Sequence, residues 1–236
     1  MENVPVTLSF GFGLITSLTI WLLYEASRRC SRTLLVLLAW LLVQGILAGS
    51  GFYLVVNTLP PRLLFAVVPP LLVIATLFST ARGSVYLDSL RPDLLTFLHI
   101  VRIPVELVLY ALFIHGTMPE LMTFRGRNWD ILAGLSARFA YYLVFRKHLL
   151  GPRAILSWNA VCLALLVNVV ANGVLSAPSV IQHFAFDQPS IAVLHFPFVW
   201  LPACIVPVML LAHLAVGRQL LAKQAVTARH PSVVSN

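Results

Sequence analysis

The sequence predicts an all-α integral membrane protein, and three observations lead to this fold class. Of its 236 residues, 59% are hydrophobic and only 10% are charged, whereas soluble chains carry about 25% charged residues. The mean hydropathy is +0.91. Apolar runs long enough to cross a bilayer recur along the chain, which excludes soluble, disordered and disulfide-stapled classes.

Seven of these runs approach the roughly 20 residues that a helix needs to cross the bilayer core. We therefore expect residues 1–216 to form a seven-transmembrane-helix bundle, and residues 217–236 to form a short basic cytoplasmic tail that is partly disordered. The predicted spans are 6–27, 33–56, 63–80, 94–116, 130–145, 154–176 and 191–216. The fifth span is the shortest and contains Arg138.

Arginine and lysine residues predict the direction of the bundle. Eleven of the sixteen lie on the side of the first loop and the C-terminal tail, and three lie on the other side. The positive-inside rule then places the N-terminus outside and the C-terminus in the cytoplasm, in a plasma or bacterial inner membrane. Because the net charge of +8 is spread between spans, nucleic acid is not an expected partner.

A polar stripe marks the fourth predicted span. His99, Arg102, Glu106 and Tyr110 share one helical face at about 100° per residue. Ionisable residues inside a bilayer are costly and are by default candidates for function. Arg102 and Glu106 are four residues apart and are expected to pair on the helix itself.

Other spans contribute polar residues that the expected topology places at a similar depth, in the outer half of the bilayer. They are Arg138, Asn168, Asn172 and His195. We expect Arg102, Glu106 and Arg138 to form one buried cluster, and Glu106→Gln to destabilise more than any other single isosteric change in the fourth span. Two arginines against one glutamate leave an excess of positive charge, which favours an anionic or amphiphilic ligand.

The loop 117–130 carries Arg125 and Arg127 on the side where positive charge is rare. Asn128 is expected to cap the fifth helix, with Asp130 in its first turn. One interpretation is a capped helix start with Trp129 at the membrane interface. The other is an entrance where the arginines attract an anionic group.

Histidines near both ends of the bundle raise the possibility of haem. His99 and His213 are expected near the inner face, and His115 and His195 near the outer face. Since His99 and His115 point in nearly opposite directions on their helix, two haems are disfavoured, and one haem between His99 and His213 is the remaining alternative. We expect His115, His195 and His213 at the interfaces, and neither a cofactor nor a metal site.

The first functional hypothesis is a protein that binds or translocates a small anionic or amphiphilic molecule through an outer-half polar pocket. The alternatives are an intramembrane enzyme acting on a lipid-like substrate, whose catalytic residues the sequence does not identify, and a structural subunit of a membrane complex. Polar residues that only hold helices together would fit the last alternative. Besides membrane lipids, the expected partner is this small molecule. Its candidate binding residues are Arg102, Glu106, Tyr110, Arg125, Arg127, Arg138, Asn168, Asn172 and His195.

Overall fold

The computed structural model describes residues 4–229. The chain is 74% helical and has no strand in the described range, which confirms the all-α class. The helices are α1 (Val6–Ala26), α2 (Ser31–Gly49), α3 (Leu64–Ser79), α4 (Ala81–Ser89), α5 (Pro92–Ile114), α6 (Ile131–Tyr141), α7 (Pro152–Ser176) and α8 (Val206–Arg229). Two π-helical segments extend them: Tyr142–Arg146 follows α6, and Leu201–Ile205 leads into α8.

Within the described residues, five helical stretches are long and apolar enough to cross a membrane. They are α1, α2, α5, α7 and Leu201–Ala222. Helices α3 and α4 pass the same test together, although they are bent by 97° at their junction, so the number rises to six if they form one broken span. The multi-pass membrane character is therefore clear, whereas the seven-span count and the orientation stay predictions.

Hydrogen bonds between distant segments define the two ends of the bundle. At one end, which we call the arginine-rich side, Arg91 N donates to Ala26 O at 2.9 Å and Gln219 Nε2 donates to Leu87 O at 2.7 Å. At the other end, the far side, Ala192 N donates to Thr117 O at 3.0 Å. Successive long helices run between these two ends.

Helix α5 changes its geometry where the polar stripe begins. Residues His99–Val101 form a 3₁₀ turn inside the helix. Pro104 has no N–H group to donate to the carbonyl of Ile100, and short 3₁₀ turns inside helices often mark such strained positions. The turn lies directly before Arg102, in the middle of the bundle.

The sequence predicts a loop beyond the end of the bundle between α5 and α6. The structure shows that this segment instead lies inside the bundle. Starting from the far side, it descends along α5 and contacts Tyr110, then Glu106, then Arg102, which lie one helical turn apart. Helix α6 begins only at the level of Arg102. Irregular backbone at such depth is tolerated where protein encloses it, and this segment lies between α5 and α7.

The C-terminal helix continues farther than the sequence predicts. The last predicted span ends at 216, whereas α8 runs to Arg229. The predicted disorder of the tail concerns residues that lie partly in this helix and, for 230–236, outside the described residues.

Close packing of α6 on α5 depends on Gly134. A Cβ atom at this position would lie 3.0 Å from Ile103 N and 3.2 Å from Arg102 Cβ. Since backbone and Cβ atoms at such distances cannot yield without moving a helix, the absence of a side chain lets Asp130 approach Arg102.

We expect Gly134→Ala to lower the free energy of unfolding by about 1–3 kcal/mol, because the added methyl group overpacks the contact between α5 and α6. Thermal unfolding of the purified protein in detergent measures this loss. Gly13→Ala is the matched control, since Gly13 lies inside α1 with no atom within 4 Å of the added Cβ. Equal stability of the two variants would contradict the packing argument.

Candidate functional site

A buried ion pair between Arg102 and Asp130 forms the centre of the candidate site. The side chain of Arg102 is 1% exposed and that of Asp130 is 6% exposed. Arg102 Nη1 donates to Asp130 Oδ1 and to the carbonyl oxygen of Cys162 at 3.3 Å. The expected pair with Glu106 does not form, because Asp130, which directly precedes α6, takes its place.

The second nitrogen of the Arg102 guanidinium binds a histidine. Arg102 Nη2 lies 2.8 Å from His213 Nε2, and His213 Nδ1 lies 2.8 Å from Asn159 Oδ1. Because a guanidinium only donates, Nε2 must accept, so the proton of the neutral ring is on Nδ1. The expectation that His213 lies at an interface is wrong, since its side chain is fully buried.

His99 packs flat against His213. Their ring centroids are 4.0 Å apart and their planes differ by 17°. This stack leaves no space for a porphyrin between the two rings, because a haem would have to separate them. His99 is fully buried, and neither of its ring nitrogens bonds to a described residue.

Asn128 connects the descending segment to Glu106. Its Nδ2 atom donates to Glu106 Oε1 and to the carbonyl oxygen of Met122 at 3.0 Å. Its Oδ1 atom accepts from Asp130 N at 3.1 Å, which closes a local turn. Asn128 is therefore not the helix cap that we expected, since Asp130 precedes the first residue of α6 and makes no side-chain capping bond.

The other carboxylate oxygen of Glu106 is buried and has no hydrogen-bond partner among residues 4–229. Glu106 also lines an internal cavity of about 90 Å³, together with Arg102 and Asp130. The rest of the wall is mainly apolar and comes from α3, α5, α7, the π-helical segment before α8 and α8 itself, among them Val67, Leu109, Leu166, Val169, Ile205 and Met209. Drug-sized ligands occupy about 300–1,000 Å³, so this cavity suits water or a very small molecule.

The charge balance of the cluster is the reverse of the expected one. Arg138 is exposed and outside the cluster, while Asp130 is inside it. Because α6 begins beside Arg102, Arg138 lies eight residues or roughly 12 Å farther toward the arginine-rich side. One guanidinium thus faces two carboxyl groups, and the argument for an anionic ligand from an excess of arginine is wrong for this cluster.

The two arginines of the descending segment lie near its exposed start. Arg125 Nη1 donates to Tyr110 Oη at 3.3 Å. Both Arg125 and Arg127 line an open pocket of about 500 Å³ on the far side, together with Glu120 and Asp187. Charges of both signs therefore meet at this pocket, which does not select for an anion by charge alone.

The remaining predicted residues do not join the cluster. Asn168 Nδ2 donates to Arg127 O at 2.8 Å, and Asn172 Nδ2 donates to Asn168 O at 2.9 Å. The Asn168 amide ties α7 to the descending segment, as the interhelical interpretation suggests, whereas the Asn172 bond stays within α7. His195 is half-buried on the far side, and its ring makes no hydrogen bond to the described residues.

Sequence reasoning missed part of the cluster. Asn159 and His213 are polar residues inside predicted spans, a signal that could have marked them as partners of Arg102. The sequence predicts Asp130 in the first turn of the fifth helix, whereas it precedes that helix and pairs with Arg102. Within the described range, no group of three His, Cys, Asp or Glu side chains is placed to hold a metal ion.

We expect Asp130→Asn to destabilise the protein far more than Glu106→Gln does. Removing the Asp130 charge leaves a buried guanidinium uncompensated, which costs about 3–5 kcal/mol. A glutamine at 106 keeps an oxygen that accepts from Asn128, so its cost stays within about 1 kcal/mol. Thermal unfolding of both variants in one detergent tests the order, and the reverse order would contradict the assignment of the ion pair.

Comparison with known proteins identifies one family. The family model described as "Domain of unknown function (DUF8737)" matches residues 59–221. This match covers more than half of the chain and includes the whole buried cluster, so the chain belongs to this family. No curated protein and no solved structure matches it.

Proposed function

We propose that this DUF8737 protein binds or translocates a small amphiphilic molecule through the cavity beside Glu106. The observation that carries this proposal is the free carboxylate oxygen of Glu106, which is buried and has no partner among the described residues. An unpaired buried polar atom is costly, and such an atom in a cleft is a candidate for ligand contact. The apolar walls fit a short hydrocarbon chain, and Glu106 fits its polar head.

The charge balance favours a cationic or hydroxyl head group. Arg102 is already matched by Asp130, so an ionised Glu106 adds one uncompensated negative charge. A buried charge of this kind recruits a proton or a counter-ion. An anionic molecule would meet like charge at this end of the cavity.

The broken backbone around the cavity supports translocation as well as binding. Met122 and Asp130 of the descending segment line the cavity, and so do Leu201 and Pro202 of the π-helical segment. Transporters commonly place their substrate sites beside discontinuous helices near the bilayer midplane. Single-turn π segments are likewise frequent at functional sites.

We also propose seven membrane crossings, with the arginine-rich side in the cytoplasm. In this topology the segment 117–130 and α6 with its π extension form one crossing, half irregular and half helical. Helix α3 forms another crossing, and α4 turns away from it on the arginine-rich side. The distribution of arginine and lysine supports this direction.

Reporter fusions test the topology. Fusions after Arg29, Arg91 and Lys147 are expected to report the cytoplasm, and fusions after Asn57 and Gln182 the outside. The pair Lys147 and Gln182 is decisive, because these positions flank α7 and follow the unusual crossing. If Lys147 and Asn57 reported the same compartment, the half-irregular crossing would be wrong.

Three probes with the same four-carbon chain test the ligand class. We expect n-butylamine and n-butanol to raise the thermal unfolding midpoint of the purified protein, and butyrate to leave it unchanged. Binding to the native state stabilises by mass action, and about 1 kcal/mol raises the midpoint by roughly 2–4 °C in a chain of this size. Glu106→Gln should lose the response to butylamine and keep the response to butanol.

Glu120→Gln is the matched control, because Glu120 is an exposed carboxylate of the same segment. It should respond to all three probes as the unmodified protein does. A response to butyrate that survives Glu106→Gln would instead support the anionic class. Failure of all three probes to shift the midpoint would contradict a ligand cavity at Glu106.

A further inference from the structure

A larger cavity lies on another face of the last helical stretch. It is an open groove of about 590 Å³ between α2, α3 and the start of α8. Ala203, Cys204 and Pro207 line this groove, whereas Pro202 and Ile205 line the cavity of Glu106. The groove is therefore separate from the candidate site and carries an independent inference.

The walls of the groove are apolar and firmly held. Pro69 and Pro70 of α3 lie on one side, and Val36 and Trp40 of α2 on the other. Pro207 has no N–H group to donate to the carbonyl of Ala203, and Trp40 Nε1 donates to that oxygen at 2.8 Å. The tryptophan thus fixes α2 to the floor of the groove.

Apart from the hydrogen-bonded Nε1 of Trp40 and the thiol of Cys204, the polar side chains that line the groove lie at one end. On the arginine-rich side, Thr33 Oγ1 and Tyr86 Oη are hydrogen-bonded at 3.0 Å, and Arg32 is exposed beside them. Burial raises the pKa of the Tyr86 phenol, so its hydroxyl stays protonated. Arg32 makes no ion pair with the described residues, and its guanidinium is available to a ligand.

We propose that this groove binds one acyl chain of an anionic phospholipid, whose phosphate contacts Arg32. Along α2 the lining runs from Thr33 to Val43, ten residues or about 15 Å. This is half of the roughly 30 Å hydrocarbon core, the depth of one leaflet. Guanidinium groups bind phosphate oxygens with two parallel hydrogen bonds, which matches the polar end to a lipid head group.

The shape and charge of the groove favour a lipid over a partner helix. A single basic end followed by apolar walls complements an amphiphile with one anionic head. Arg28, Arg29 and Arg82 lie on the same side of the bundle and attract an anionic leaflet in general, without lining the groove. Arg32 is therefore the residue that should separate specific binding from general attraction.

Native mass spectrometry of the purified full-length protein, delipidated in detergent, tests the proposal. The probes are dioleoyl phosphatidylglycerol and dioleoyl phosphatidylcholine, which have identical chains and different head groups. We expect the phosphatidylglycerol to bind more tightly, and Arg32→Gln to weaken it about tenfold, as for loss of a hydrogen bond to a charged group. Arg82→Gln, which removes the same charge outside the groove, should weaken the phosphatidylglycerol clearly less than Arg32→Gln does.

Ala39→Phe fills the groove and should weaken both lipids, while Arg32→Gln should affect only the phosphatidylglycerol. Ala39 is exposed, so the variant should keep the thermal unfolding midpoint of the unmodified protein. If Arg32→Gln and Arg82→Gln lost the same affinity for phosphatidylglycerol, the proposed contact between Arg32 and the head group would be wrong. A dimer that Ala39→Phe dissociates would identify a second copy of the chain as the occupant and overturn the lipid proposal.

Discussion

The burial of one guanidinium group constrains much of this structure. Arg102 lies in the middle of an apolar bundle, where its charge must be matched and its N–H groups need acceptors. Asp130 supplies the charge, and the carbonyl of Cys162 and the ring of His213 supply further acceptors. Asp130 reaches this depth because the chain before it descends without forming an α-helix and contains only one 3₁₀ turn, Glu120–Met122. The irregular segment is therefore a consequence of a charge that needs a partner.

The polar groups of the interior divide into two kinds. The amides of Asn128, Asn159 and Asn172 all donate to backbone carbonyls: Asn128 to Met122 in the descending segment, Asn159 to His213 across to α8, and Asn172 to Asn168 within α7. Hydrogen bonds of this kind stabilise helix bundles in a lipid bilayer, where no hydrophobic effect drives helices together. Glu106 differs because one of its carboxylate oxygens makes no hydrogen bond to the described residues. Stability and ligand contact therefore rest on different side chains of one cluster.

The sequence predicts the fold class and the polar stripe well, because apolar length and helical periodicity act within one segment. The stripe of α5 faces the descending segment at Tyr110, Glu106 and Arg102, as the spacing requires. The partners across the bundle could not be predicted in the same way. A depth derived from the predicted helix ends is wrong where a crossing is not helical, so the sequence predicts Arg138 at the depth that Asp130 occupies.

The π-helical segment Leu201–Ile205 separates the cavity beside Glu106 from the groove lined by α2 and α3. Its residues contribute to the wall of the small internal cavity and to the floor of the groove that opens toward lipid. A sideways displacement of this backbone must enlarge one space at the expense of the other. The volume beside Glu106 and the width of the groove are therefore linked geometrically through this one stretch of backbone.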